Sequence, residues 1–170
     1  MTAKLTHLDE QGRARMVDVG AKEMTERVCT ARAEVRMARA TLDAITSGAT
    51  PKGDVFATAR LAGIKAAKRT GEWIPLAHPM PLDGVEVRLD ADAASSSVRV
   101  EATVRAHWRT GVEMEAMVAV SAAGLTIYDM CKAVDRGMTL ERVRLVSKAG
   151  GKSGTWSRPG EEPPAGTPGG

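Results

Sequence analysis

Asp129 and Lys132 stand three residues apart in LTIYDMCKAV, directly after twelve residues, Met117 to Tyr128, none of which carries a charge at neutral pH. On a helix a carboxylate and an amine at i and i+3 share one face. Two chemistries fit this spacing. As an exposed ion pair the two would add only ~0.2–0.5 kcal/mol to the helix. In a lined pocket, Asp129 would orient Lys132, and desolvation would push the amine toward its neutral, proton-accepting form. At about 100° per residue, Met114, Glu115, Val118, Ala122, Leu125, Asp129 and Lys132 fall within one stripe. The pair therefore prolongs an apolar face instead of opposing it, which favours the pocket. Glu115 and Asp129 lie fourteen residues apart, and at ~1.5 Å per residue that is about 21 Å along an unbroken helix. Both can serve one site only if a long ligand spans them or a second subunit supplies one end. The run Ala119, Ser121, Ala122, Ala123, Gly124 suits close helix contact with such a subunit.

Three further stretches could bind charge. In PKGDV, Lys52 and Gly53 immediately precede a helix start, where free N–H groups and the dipole favour an anion such as phosphate. In WIPLAHPMP, Pro75 and Pro79 fix the backbone around His78 and could present its imidazole to a ligand. GGKSG misses the phosphate-loop spacing because Val146 occupies the position of the first glycine. Lys148 and Lys152 still give that loop a basic character.

Composition narrows the class. The chain has 170 residues with a net charge of +3, which fits one domain, a reducing cytoplasmic setting and an anionic small molecule better than nucleic acid. Cys29 and Cys131 form neither a CxxC pair nor a disulfide framework, so no metal site is indicated. A charge-free run of twelve residues falls short of the ~20 needed to cross a bilayer, so no membrane association is expected. Only five residues are aromatic, which leaves an RNA-binding module, dependent on base stacking, as the weaker alternative.

The elements that must position these groups follow from periodicity. MVDV at 16–19 reads as a short strand after a polar, irregular start. Cys29–Met37 alternates apolar and polar residues, a strand signature. A short helix covers 40–46 and stops at Gly48. A second helix starts at the cap Asp54, with Gly71 just past its end. Alternation around Val85–Leu89 and Val98–Ala106 predicts a long antiparallel hairpin, 112–134 a helix, and 141–146 a last strand. Merging the two short helices gives β-α-β-β-α-β, an α+β, ferredoxin-like arrangement with helices on one face of an antiparallel sheet. One domain is expected over 1–156, with a Gly/Pro-rich flexible tail over 157–170.

MVDV, KGDVFATARLAGIKAAKRT, IPLAHP, TGVEMEA, LTIYDMCKAVDRGM and KAGGKSG, in this order and spacing, resemble the cyclic pyranopterin monophosphate synthase family, the C proteins of molybdenum cofactor biosynthesis. The resemblance covers approximately residues 5 to 156. It implies an enzyme that converts a cyclic dihydroguanosine triphosphate, made from GTP by an upstream radical cyclase, to cyclic pyranopterin monophosphate with release of diphosphate. It also implies a ferredoxin-like fold, a homohexamer built as a trimer of dimers with sites at subunit boundaries, and no resident cofactor. Carried onto this chain, the catalytic residues are Asp129, Lys132 and Lys52. The substrate-binding residues are Leu76, Ala77, His78, Met114 and Glu115. The chain departs from the family pattern at Ala77, where cysteine is usual, and at Gly20, where serine is usual.

Overall fold

The computed structural model describes residues 8–162 and 164. Strand β1 (Thr25–Arg36) lies in the middle of a five-stranded antiparallel sheet ordered β2-β3-β1-β4-β5, with β2 at Gly84–Asp92, β3 at Ser97–Trp108, β4 at Thr139–Ala149 and β5 at Trp156–Ser157. The alternation read from the sequence sets the faces. Cys29, Ala31, Ala33 and Val35 of β1, with Val98, Val100, Ala102, Val104 and Ala106 of β3, are buried beneath the helices. β1 pairs with β3 in unbroken register from Thr25 opposite Trp108 to Arg36 opposite Ser97. β2 to β3 is the predicted hairpin, and the first four strands in the order β2-β3-β1-β4 reproduce the ferredoxin-like arrangement.

Four helices accompany the sheet: α1 (Arg39–Ser47), α2 (Val55–Ala67), α3 (Thr70–Trp73) and α4 (Glu113–Cys131). Gly48 ends α1 at φ 74°, a left-handed cap that an L side chain would strain. Asp54 caps α2 as expected, its carboxylate accepting from Ala57 N at 2.9 Å. α2 stops at Ala67, however, and Gly71 lies inside the short α3 instead of marking an end. MVDV is also not a strand. Its Val17 and Val19 line a cavity instead, so their alternation with Asp18 reflects one wall against solvent and not a ladder.

α4 is long and apolar enough to span a bilayer by length and composition alone. Here its apolar residues Ala116, Ala119, Val120, Ala123 and Ile127 belong to the buried core. The small-residue run serves contacts within the chain: a Cβ on Gly63 of α2 would stand 3.0 Å from the Ala119 carbonyl oxygen and 3.5 Å from Ala123 Cβ. At Gly124 it would meet Leu140 of β4 at 2.5 Å. α2 and α4 approach closely because Gly63 faces the small residues Ala119 and Ala123, and Leu140 reaches the α4 backbone because Gly124 has no side chain. These contacts occupy the surface that the sequence suggested for a second subunit.

Candidate active site

The turn before α2 and the end of α4 meet. Thr50 to Gly53 form a turn closed by Gly53 N donating to Thr50 O at 3.2 Å, with Pro51 supplying the fixed φ and Lys52 at its apex. From there Lys52 Nζ donates to Asp129 Oδ2 and to the Asp129 carbonyl oxygen, both at 2.9 Å. Lys132, the C-cap of α4, reaches Asp129 Oδ1 at 2.7 Å. The carbonyl in the last turn has no partner within the helix, so Lys52 satisfies it while its charge opposes the negative helix end. An acidic side chain at that end is disfavoured by the same dipole. Two ammonium groups offset the penalty here.

Hydrogen bonds from Lys132 and then Lys52, reinforced by their charges, hold the Asp129 carboxyl down at about 2. Asp129 in turn pushes the Lys132 amine above the ordinary lysine value. This corrects the expectation of a desolvated, neutral Lys132. The side chains of Lys52, Asp129 and Lys132 are 45%, 56% and 53% exposed, and Leu125 on the same stripe is 53% exposed. Within one chain the stripe ends in water, not in a lined pocket, and Lys132 is a charged acid. Lys52 does not line an anion site at the α2 N-terminus either, because it turns away toward Asp129.

The five other candidates gather at the opposite end of α4. Leu76, Ala77, His78, Met114 and Glu115 all line one cavity of about 320 Å³, closed on its far side by the N-terminal segment. His78 Nε2 lies 2.7 Å from the Val17 carbonyl oxygen. A carbonyl only accepts, so Nε2 carries the hydrogen and the ring is pinned to the MVDV segment. Ala77 donates its backbone N–H to Ile74 O at 3.0 Å, which shapes the loop without any side chain beyond a methyl. Glu113 lines the same cavity and receives Lys148 Nζ at 2.9 Å, which the residue-by-residue reading did not single out. Its place in TGVEMEA, beside Met114 and Glu115, was the available signal. A larger cavity of about 570 Å³ lies under the C-terminal segment on the other face of the sheet and holds none of the candidates.

Glu115 is only 4% exposed, and burial first, with the neighbouring Glu113 charge adding to it, pushes its carboxyl up to about 7. Because the folded value lies above the unfolded one, stability from this group is present at low pH and lost as pH rises from about 4.5 to about 7. Glu115→Gln should therefore be more stable than the parent above neutral pH, by about 3 kcal/mol at most, and melt correspondingly higher, with little difference at pH 4. Thermal melts of both proteins at pH 4, 6 and 8 check this. Neither thiol offers a nucleophile: burial pushes Cys29 up to about 12 and also raises Cys131.

The two groups of candidates thus lie one at each end of the 19-residue α4, the separation expected from the fourteen helical residues between Glu115 and Asp129. Comparison with known proteins supplies the family. A model of the MoaC family matches residues 16–151. The chain is 61% identical over 150 residues to the cyclic pyranopterin monophosphate synthase of Roseiflexus sp., covering 88% of this chain and 95% of that protein. It is 58% identical over 158 residues to the enzyme of that name from Pelotomaculum thermopropionicum, 93% of each chain. Against that from Herpetosiphon aurantiacus it is 57% identical over 155 residues, 91% of this chain and 94% of the relative. With its motifs, its ferredoxin-like sheet and its lysine-flanked aspartate in agreement, the chain belongs to the MoaC family.

Proposed function

We propose that this protein is a cyclic pyranopterin monophosphate synthase, a lyase of molybdenum cofactor biosynthesis that converts a cyclic dihydroguanosine triphosphate to the cyclic pyranopterin monophosphate and releases diphosphate. The observation that carries the reading is the convergence of Lys52 and Lys132, from segments far apart in sequence, on the single carboxylate of Asp129. Lys132 is held charged, so it enters the reaction as a proton donor. Asp129 fixes its direction and takes no proton near neutral pH. Lys52 neutralises phosphate charge as a ribose oxygen attacks phosphorus and diphosphate departs. At the cavity, Leu76, Ala77, Met114 and Glu115 hold the substrate, and His78 neutralises charge on its triphosphate. Ala77 supplies only backbone and a methyl group there, so no thiol takes part at that position.

The two clusters sit at opposite ends of α4, too far apart for one small substrate. Leu61, Trp73, Leu125 and Val134 are exposed on or beside the helices, the kind of surface that subunits cover. Both features support a homohexamer, a trimer of dimers, in which the cavity of one protomer faces the lysines of the next. An upstream radical GTP cyclase would supply the substrate, and the setting is the cytoplasm. An RNA-binding module of this fold would stack bases on sheet aromatics. The corresponding face here carries Thr30, Arg32, Glu101 and Thr103. Incubating the protein with the upstream cyclase product and following diphosphate release tests the reading. Stoichiometric diphosphate and pterin are expected, and an inert protein in the presence of fresh substrate would reject it.

A further inference from the structure

The face of the sheet opposite the helices is where solvated charge is expected, yet Arg32 of β1 and Glu101 of β3 are buried there. The chain after β4 contributes to this cover. It turns back through Gly150–Thr155, pairs as β5 with Ser157 opposite Ser147 and Trp156 opposite Lys148, and continues over the open face. Arg158 donates its backbone N–H to Val146 O at 2.8 Å and Nε to Leu145 O at 2.7 Å, its guanidinium lying over the Trp156 ring. Glu161 then enters between two arginines. Arg32 Nη1 reaches its Oε2 at 3.0 Å and the Glu162 carbonyl oxygen at 3.0 Å, while Arg144 Nε bonds the other oxygen. Arg144 and then Arg32 hold the Glu161 carboxyl below the usual range, so the clamp stays ionised at neutral pH.

This strap ends at something functional. The hairpin it closes carries Lys148 and Lys152, and Lys148 is bonded to Glu113 on the wall of the cavity. The start of the loop lies so close to β1 that only glycine fits: Gly150 has φ 100°, and a Cβ on it would stand 1.9 Å from the Glu26 carbonyl oxygen. The loop is thus held against β1 on one side and fastened by the strap on the other.

We propose that Glu161 is a positioning residue. Clamped between Arg32 and Arg144, it fastens the C-terminal strap that holds the lysine-bearing hairpin beside the cavity, and so sets the affinity of the site for a polyphosphate group. The proposal rests on the reading given under Proposed function for its biological meaning, but its physical content does not require turnover. Removing the carboxylate leaves Arg32 with Glu101 and Arg144 with Glu34, so the sheet keeps its own pairs and the fold is expected to survive.

The experiment compares the parent, Glu161→Ala, Glu161→Gln and Arg158→Ala by amide hydrogen exchange and by calorimetric titration with inorganic triphosphate. Arg158→Ala removes the strap's second anchor while sparing the clamp. Exchange over 147–158 should speed up at least tenfold in Glu161→Ala and Arg158→Ala, with the core strands unchanged. Triphosphate should bind about five- to tenfold more weakly at unaltered stoichiometry, with Glu161→Gln between parent and alanine. Unchanged exchange, or faster exchange with unchanged affinity, overturns the proposal. So does lost stoichiometry, which would mean a merely structural role. Turnover of the cyclic triphosphate by the parent protein is scored separately, so failure of the enzymatic reading is distinguishable from failure of the strap.

Discussion

Lys132→Ala should lower the rate of diphosphate release by roughly 10²–10⁴-fold, the span that a positioned proton donor contributes. It should leave circular dichroism and gel-filtration elution unchanged. Lys132 caps α4 from a half-exposed position, so its loss should be a loss of chemistry and not of fold. Asp129→Asn should be comparably severe for a different reason. The carboxylate draws two ammonium groups to one point, at 2.7 and 2.9 Å. An amide would leave like charges adjacent with no countercharge, and Lys52 and Lys132 would splay apart. Near-normal turnover in either variant, measured with the upstream product as substrate, would remove the triad from the mechanism.

Gly63→Leu should be strongly damaging although it is remote from either cluster. Even the first carbon of a side chain would lie 3.0 Å from the Ala119 carbonyl oxygen and 3.2 Å from Val87 Cγ2, and leucine adds three more carbons to the crossing of α2 and α4. Overpacking of this kind costs about 1–3 kcal/mol, and each kcal/mol lowers the melting temperature of a domain this size by roughly 2–4 °C. Activity should fall further than stability. α2 carries the Lys52 turn at its start, so wedging the helices apart draws Lys52 away from Asp129. Gly63→Ala is the control: about 1 kcal/mol of helix propensity offsets a mild squeeze, and both melting temperature and rate should stay close to the parent. A Gly63→Leu protein with a reduced melting temperature but full activity would show that the α2 to α4 spacing does not set the triad.

The architecture was legible where one physical rule acts locally. Alternation in β1 and in the β2 to β3 hairpin, the Asp54 cap and the Gly48 stop each depend on neighbours within a few residues. MVDV misled because its alternation is satisfied by a cavity wall, a tertiary fact that no local pattern distinguishes from a ladder. Lys132 misled in a related way. A helical wheel shows that Asp129 and Lys132 extend an apolar stripe, but it does not show whether the stripe faces the interior, and the exposure of Leu125 places its far end at the surface. The residues named from the sequence fall into two groups in the fold, one around Asp129 and one around the cavity. The bridge from Lys52 to Asp129 was not readable, since it joins segments separated in the chain by α2, α3, β2, β3 and most of α4. The ordering of Trp156–Glu162 was hidden by Gly and Pro composition, because its anchors are arginines on β1 and β4.

The division of labour along α4 has a genetic corollary. A copy damaged near its cavity still owns sound lysines, and a copy damaged at its lysines still owns a sound cavity. If neighbouring protomers lend each other these halves, two alleles that are each inactive alone can rescue one another in a mixed assembly, whereas two lesions at the same end cannot.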